Sequence, residues 1–275
     1  MSGRFVIALV CVALLAACSS ARTGSSQTSP TPVASAPVAA SPSAAPSSSG
    51  PGSSASGAPA ASLPPYNPTI DPAKFTEKIT NPWFPLKPGQ TYIYEGKRDA
   101  QPRRTEMAVT TETKMIMGVT CVVVRDVLTS NGALVEKTVD WYAQDVDGNV
   151  WYFGEDTAEY VNGAVTSTAG TWLAGVDGAL PGIVMKATPA VGDAYRQEYR
   201  PGVAEDFAKV QKIDATATVP AGSYSKVVVT EDTDLLDTTK LEHKSYAPGV
   251  GFVGSEGMVN GHHEITNLTS ILTKS

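Results

Sequence analysis

The chain has 275 residues, 42% of them hydrophobic and 7% aromatic, with 21 basic against 27 acidic side chains and a formal charge of −6. All the acids lie after residue 70, together with 19 of the bases, so that part carries a formal charge of −8. This balance excludes nucleic acid as a partner and opposes flat binding to anionic lipid headgroups.

The chain opens on Arg4 and an apolar run from Phe5 to Ala17. Thirteen residues are too few for a permanent membrane helix, which needs ~20, and suit the core of an export signal. The run ends in Leu15-Ala16-Ala17-Cys18, which resembles the lipobox of bacterial lipoproteins. That resemblance implies cleavage before Cys18 and acylation of its thiol and new amino group, an anchor on the extracytoplasmic face of a cell membrane. Residues 1–17 are then a signal peptide, and the membrane is a partner through Cys18.

Of the 47 residues from Ser19 to Pro65, 35 are Ser, Ala or Pro, and none is acidic. Such a segment cannot bury enough apolar surface to offset its ordering entropy. It is expected to be a disordered tether, reaching roughly 35–40 Å as a flexible coil. Cys11 leaves with the signal and Cys18 becomes the anchor, so only Cys121 remains, too few for an internal disulfide or a zinc site. Its setting, "TCVVVRDVL", is that of a buried, inert thiol.

Residues 66–275 are expected to form one domain of about 210 residues, enough for a sizeable core. "DPAKFTEKI" predicts a short helix capped by Asp71 with Pro72 in its first position. From residue 90 the chain reads as strand after strand. "TYIYEG", "TEMAVTTETKMIM", "TCVVVRDVLTS", "ALVEKTVDWYAQ" and "NVWYFGEDTAEYV" are rich in β-branched and aromatic residues, with Asn131-Gly132 and Asp147-Gly148-Asn149 as punctuation. In "EKTVDWYAQ", Val139, Trp141 and Ala143 share one face, and Thr138, Asp140 and Tyr142 the other. Residues 162–192 interrupt the series, and their apolar cargo predicts a plug or lid. Strands resume from "AYRQEY" to "HEITNLTSILT". The expected fold is all-β: a curled antiparallel meander of about ten strands, as a half-barrel, barrel or sandwich.

Residues 145–160, "DVDGNVWYFGEDTAEY", place Asp145, Asp147 and Asn149 at positions 1, 3 and 5 of a calcium loop. Position 6 is Val150 instead of Gly, position 12 is Asp156 instead of Glu, and no helices flank it, so an EF-hand is excluded. Asp145, Asp147 and Glu155 stay as candidate ligands of a different metal site, while a hairpin turn at Asp-Gly-Asn accounts for more of the pattern. In "YRQEYRPGVAEDF", Pro201-Gly202 suits a type II turn that sets Glu198 opposite Glu205. Pairing with Arg196 or Arg200 accounts for these acids, and a carboxylate pair for glycosidic chemistry is the alternative. His262 and Glu264 form half a metal site at most. No serine-hydrolase elbow, phosphate loop or dinucleotide fingerprint occurs, and no cofactor is implied.

The stretches "NPWFPLKPGQTYIYEG", "DGNVWYFGEDTAEY", "AGVDGALPGIVM", "YRQEYRPGVAEDFAKV" and "HKSYAPGVGFV" resemble a group of bacterial secreted proteins and lipoproteins over most of residues 80–255. The resemblance implies a shared β-rich fold and transfers no catalytic residue. The expected function is that of a non-catalytic envelope lipoprotein holding an apolar small molecule in its curled sheet, with Trp172, Ile183 and Met185 as candidate ligand-binding residues. The alternatives are a protein-interaction or assembly module without a cavity, and a carboxylate-based or metal-dependent carbohydrate-active enzyme.

Overall fold

The computed structural model describes residues 66–273. The expected signal peptide, Cys18 and the expected tether lie outside the described residues. Instead of a short α-helix, Pro72–Lys74 make a single 3-10 turn, with the Asp71 carboxylate accepting from the Ala73 amide at 3.2 Å. Sixteen strands follow, more than the ten expected. They are β1 (Phe75–Thr76), β2 (Gln90–Arg98), β3 (Gln101–Ile116), β4 (Val119–Ser130), β5 (Ala133–Asp145) and β6 (Val150–Val161). Next come β7 (Ala164–Ser167), β8 (Trp172–Leu173), β9 (Leu180–Met185), β10 (Ala194–Arg196) and β11 (Glu198–Tyr199). The series ends with β12 (Asp206–Val219), β13 (Gly222–Asp234), β14 (Leu241–Ala247), β15 (Gly251–Val259) and β16 (His262–Thr273).

All pairings are antiparallel, in the order β10-β12-β13-β14-β15-β16-β2-β3-β4-β5-β6-β9-β11, and the sheet curls into a nearly closed barrel. The closing piece is a single run of chain. Its first half, β10, pairs with β12 (Tyr195 opposite Ala208), and its second half, β11, pairs with β9 (Glu198 opposite Pro181). Between them the Gln197 amide donates to the Asp206 carbonyl at 2.8 Å. The adjoining turn has Gly202 at a φ of 73° and the Val203 amide donating to the Arg200 carbonyl, as the Pro-Gly pair predicts.

Residues 162–192 are not a plug. They extend the sheet as β7, β8 and β9 along β6. The stopper comes from earlier in the chain. Asn81 donates through Nδ2 to the Gly148 and Lys186 carbonyls, at 2.9 and 3.1 Å, and accepts from the Trp83 amide at 2.8 Å. This clamp sets Phe84 between Tyr142 of β5 and Tyr246 of β14, with ring centroids 5.5 and 6.4 Å away. Phe75 seals another face of the sheet, edge-on to Trp151 and Phe153.

Gly154 shows why the wall admits so little change. It sits beside a register shift in the β5–β6 pairing, at a φ of 135°, and an added Cβ would lie 2.4 Å from the Trp172 carbonyl oxygen. That obstacle is backbone and cannot swing aside. Gly154→Ala is expected to lower unfolding stability by about 2 kcal/mol or more. Urea titration checks this, and a loss below about 0.5 kcal/mol would show that β8 can retreat from β6.

Candidate functional site

Alternation that elsewhere separates core from solvent here lines the inside of the barrel with acids. Register places Asp126 opposite Thr138 and Thr138 opposite Thr157, so β4, β5 and β6 turn these side chains to one face. All three are buried, as are Glu136 and Asp140 on the same face of β5. Glu155 stands opposite both Asp140 and Trp172. Across the barrel, Asp206 lies opposite Asp234, Asp232 opposite Glu242, and Thr230 opposite Lys244. Among the described residues eleven acidic side chains are buried, against three basic ones, Arg98, Lys240 and Lys244.

The bases are committed locally. Lys240 contacts Asp206, Lys244 lies 2.9 Å from Asp232, and Arg98 lies 3.3 Å from Glu264. Burial opposes the charge of Lys240, but the combined pull of Asp206, Asp234 and Glu242 outweighs it and raises its pKa. Asp126, Asp140 and Glu198 keep their protons well above the usual carboxylate range. For Asp126 the causes are burial and the neighbouring Glu136 and Glu155; for Asp140, burial and Asp126. Glu198 joins the two sides of the interior, raised by burial, then by Asp206 and Glu155. Burial lifts Asp206 and Glu242 to about 7, although Lys240 and Lys244 respectively act against it.

Aromatic groups hold these acids in place. The Tyr152 hydroxyl donates to Asp140 Oδ1 at 2.5 Å, and Tyr152 stacks on Tyr142 at 4.7 Å. The Trp172 indole donates to Glu198 Oε2 at 2.9 Å, with its ring edge-on to Tyr152. Asp126 Oδ1, Asp140 Oδ2 and Glu198 Oε1 have no hydrogen-bond partner among the described residues. A protonated acid at such a position donates or accepts, so the interior suits proton uptake more than the retention of a hydrocarbon.

Trp172 and Met185 are fully buried in the barrel wall, and Ile183 is partly buried against the core. Trp172 serves as a hydrogen-bond donor there. The candidate metal ligands are not brought together. Asp145 is occupied by its own hairpin, accepting from the Asn149 amide (2.8 Å), Asn149 Nδ2 (2.9 Å) and Trp151 Nε1 (2.8 Å). Asp147 is exposed at the turn, while Glu155 points into the interior. No group of three His, Cys, Asp or Glu side chains among the described residues is arranged to hold a metal ion. His262 lies 2.6 Å from Asp99, and Glu264 belongs with Arg98. Glu205 accepts from the Gly202 amide at 3.0 Å and lies 3.6 Å from Arg196, so it and the buried Glu198 do not share a groove. Cys121 is inaccessible, its thiol pushed up to about 12 by burial.

One surface groove, which the sequence did not signal, has the dimensions of a ligand site. Pairing of β3 with β4 jumps from Val109–Val124 to Thr113–Val122, leaving Thr110 to Glu112 outside the ladder. Against this bulge runs the segment 77–88, and between them lies a groove of ≈ 430 Å³. Its floor is Ile79, Leu86 and Val122; Lys78, Lys87 and the threonines form the rim.

No family model and no curated protein matches the chain. Two solved structures are similar. One, from Bacteroides fragilis, is described as an exported protein with a YMCC-like fold; it is 16% identical, over 70% of this chain and 99% of that one, with a TM-score of 0.42. The other, from Parabacteroides distasonis, is described as a lipoprotein; it is 14% identical, over 69% of this chain and 98% of that one, with a TM-score of 0.37.

The buried acids make stability depend on pH in a definite direction. Between about pH 4 and pH 7 the folded chain holds protons that the unfolded chain has released, so stability falls as pH rises across that window. The urea midpoint is expected to be higher at pH 5 than at pH 8. Asp140→Asn keeps an acceptor for Tyr152 while removing one of these protons, and so should flatten the slope. An unchanged slope would mean that Asp140 ionises normally.

Proposed function

We propose that the chain is an envelope lipoprotein, exported by residues 1–17 and held on the extracytoplasmic face of the membrane through acylated Cys18. Its barrel acts as a binding module and not as a catalyst. The ligand is a small molecule with an apolar portion, and its place is the groove between the bulge of β3 and residues 77–88. The observation carrying this reading is the apolar floor of Ile79, Leu86 and Val122, set below a polar rim in a space of ≈ 430 Å³. That volume falls in the range of about 300–1,000 Å³ that small-molecule sites occupy. The interior of the barrel, with its protonated acids, suits an apolar ligand less well. The acids at the bulge are structural in this reading: Glu112 pairs with Arg125 at 2.7 Å and fixes the rim.

The domain, released from the exporting host by cleavage in the tether without detergent, should carry an adduct of several hundred daltons in native mass spectrometry, lost on organic extraction. Thr111→Trp fills the groove from an exposed position and should abolish the adduct without lowering the melting temperature. A bare mass for the unaltered domain, or an adduct that survives Thr111→Trp, would sink the assignment.

A further inference from the structure

Four large apolar side chains stand out of the surface around the Pro72–Lys74 turn, near the start of the described residues. Met115 is 64% exposed, Met117 40%, Val146 70% and Val176 47%. Single exposed apolar residues are common and mean little, but these come from three separate loops linked through contacts with one another or with the Pro72–Lys74 turn. Met117, at the tip of the β3–β4 hairpin, lies against Gly175, the neighbour of Val176. The next residue, Gly118, faces the Pro72 ring. From the same turn, the Lys74 carbonyl accepts from the Val146 amide at 2.9 Å. Met115 stands two residues back from Met117 in β3.

We propose that this patch rests on the lipid surface to which Cys18 ties the chain, a contact that depends on the acylation of Cys18 proposed above. What favours lipid as the occupant is where the remaining chain begins. The 3-10 turn at Pro72–Lys74 is built into the patch and follows Tyr66, the first described residue, by only six positions, with 47 residues of sequence between Tyr66 and Cys18. A tether keeps its load at high effective concentration near the membrane, so a contact of only four side chains becomes useful without strong affinity of its own. Charge does not assist it. With a formal charge of −8 the domain is not drawn to anionic headgroups, so the contact is apolar, reaching ~5–10 Å into the headgroup boundary.

Cys121 is buried and an acylated Cys18 has no free thiol, so an introduced cysteine is the single labelling site. The full lipidated chain is prepared as Val146→Cys and, as a control on β2 beyond the patch, as Lys97→Cys. Each carries an environment-sensitive fluorophore and is reconstituted in phosphatidylcholine vesicles containing nitroxide-bearing lipid. The expected result is several-fold stronger quenching at position 146 than at 97, lost when Met117→Asp and Val176→Asp are added, with flotation of the vesicle-bound chain unchanged. Flotation with equal, weak quenching at both positions overturns the contact and leaves the anchor standing. Failure to float removes the anchor and, with it, the contact. Concentration-dependent 146–146 cross-linking without quenching assigns the patch to a second copy of the chain and also overturns the proposal.

Discussion

A carboxyl group closed off from water must either ionise beside a cation or keep its proton, and almost every other feature of this barrel follows from how that choice is made. On the β12–β14 side lysines are available, and Asp206 and Asp232 sit against Lys240 and Lys244. On the β4–β6 side Asp126 and Asp140 are raised by burial and by neighbouring acids, Glu136 and Glu155 acting on the first and Asp126 on the second. Aromatic donors then do what cations do elsewhere: Tyr152 and Trp172 each give one hydrogen bond to an acid and pack their rings together. These polar groups are held by directional bonds, whereas the hydrophobic contribution comes from a large buried cluster of aliphatic and aromatic side chains that includes Phe84 and against which Phe75 packs.

Much of the frame was legible in the residues. Val150 at the sixth loop position already excluded an EF-hand, and Asp145 does close the hairpin around Gly148. Pro201-Gly202 turns the chain where it was expected to. What could not be read was which side of the sheet is the inside. Thr138, Asp140 and Tyr142 alternate with Val139, Trp141 and Ala143, and such a pattern looks the same whether the polar face meets solvent or a lumen. Only curvature decides that, and curvature here is set by register shifts such as the one between Trp141 and Tyr142. Strands β7, β8 and β11, of four, two and two residues, are too short to show alternation at all. Residues 162–192 therefore read as an interruption, and the strand count came out low.

The same limit hid the groove. Thr110, Thr111 and Glu112 belong to an ordinary-looking strand sequence, and nothing in their composition announces that they leave the ladder. The segment that faces them is fixed by distant partners: the Gln144 side chain accepts from the Thr80 and Asn81 amides at 2.8 Å, 64 and 63 residues away in sequence. Local pattern carries no information about such pairings. The last strand illustrates the converse. His262 and Glu264 read as at most half a metal site in sequence, and each has its own partner, Asp99 and Arg98.

The closing run from Ala194 to Tyr199 gives the barrel a clasp instead of a full strand. It divides its few pairings between β12 and β9, and it carries Glu198, while Asp206 starts the strand it leans on. If this clasp slips, the first groups to meet water are these two acids, both of which burial raises above the usual carboxylate range. Hydration would release their protons, and the resulting negative charges would resist being shut in again. Unclasping and deprotonation are thus two faces of one equilibrium, and the acidity of the surroundings sets how tightly the barrel is fastened.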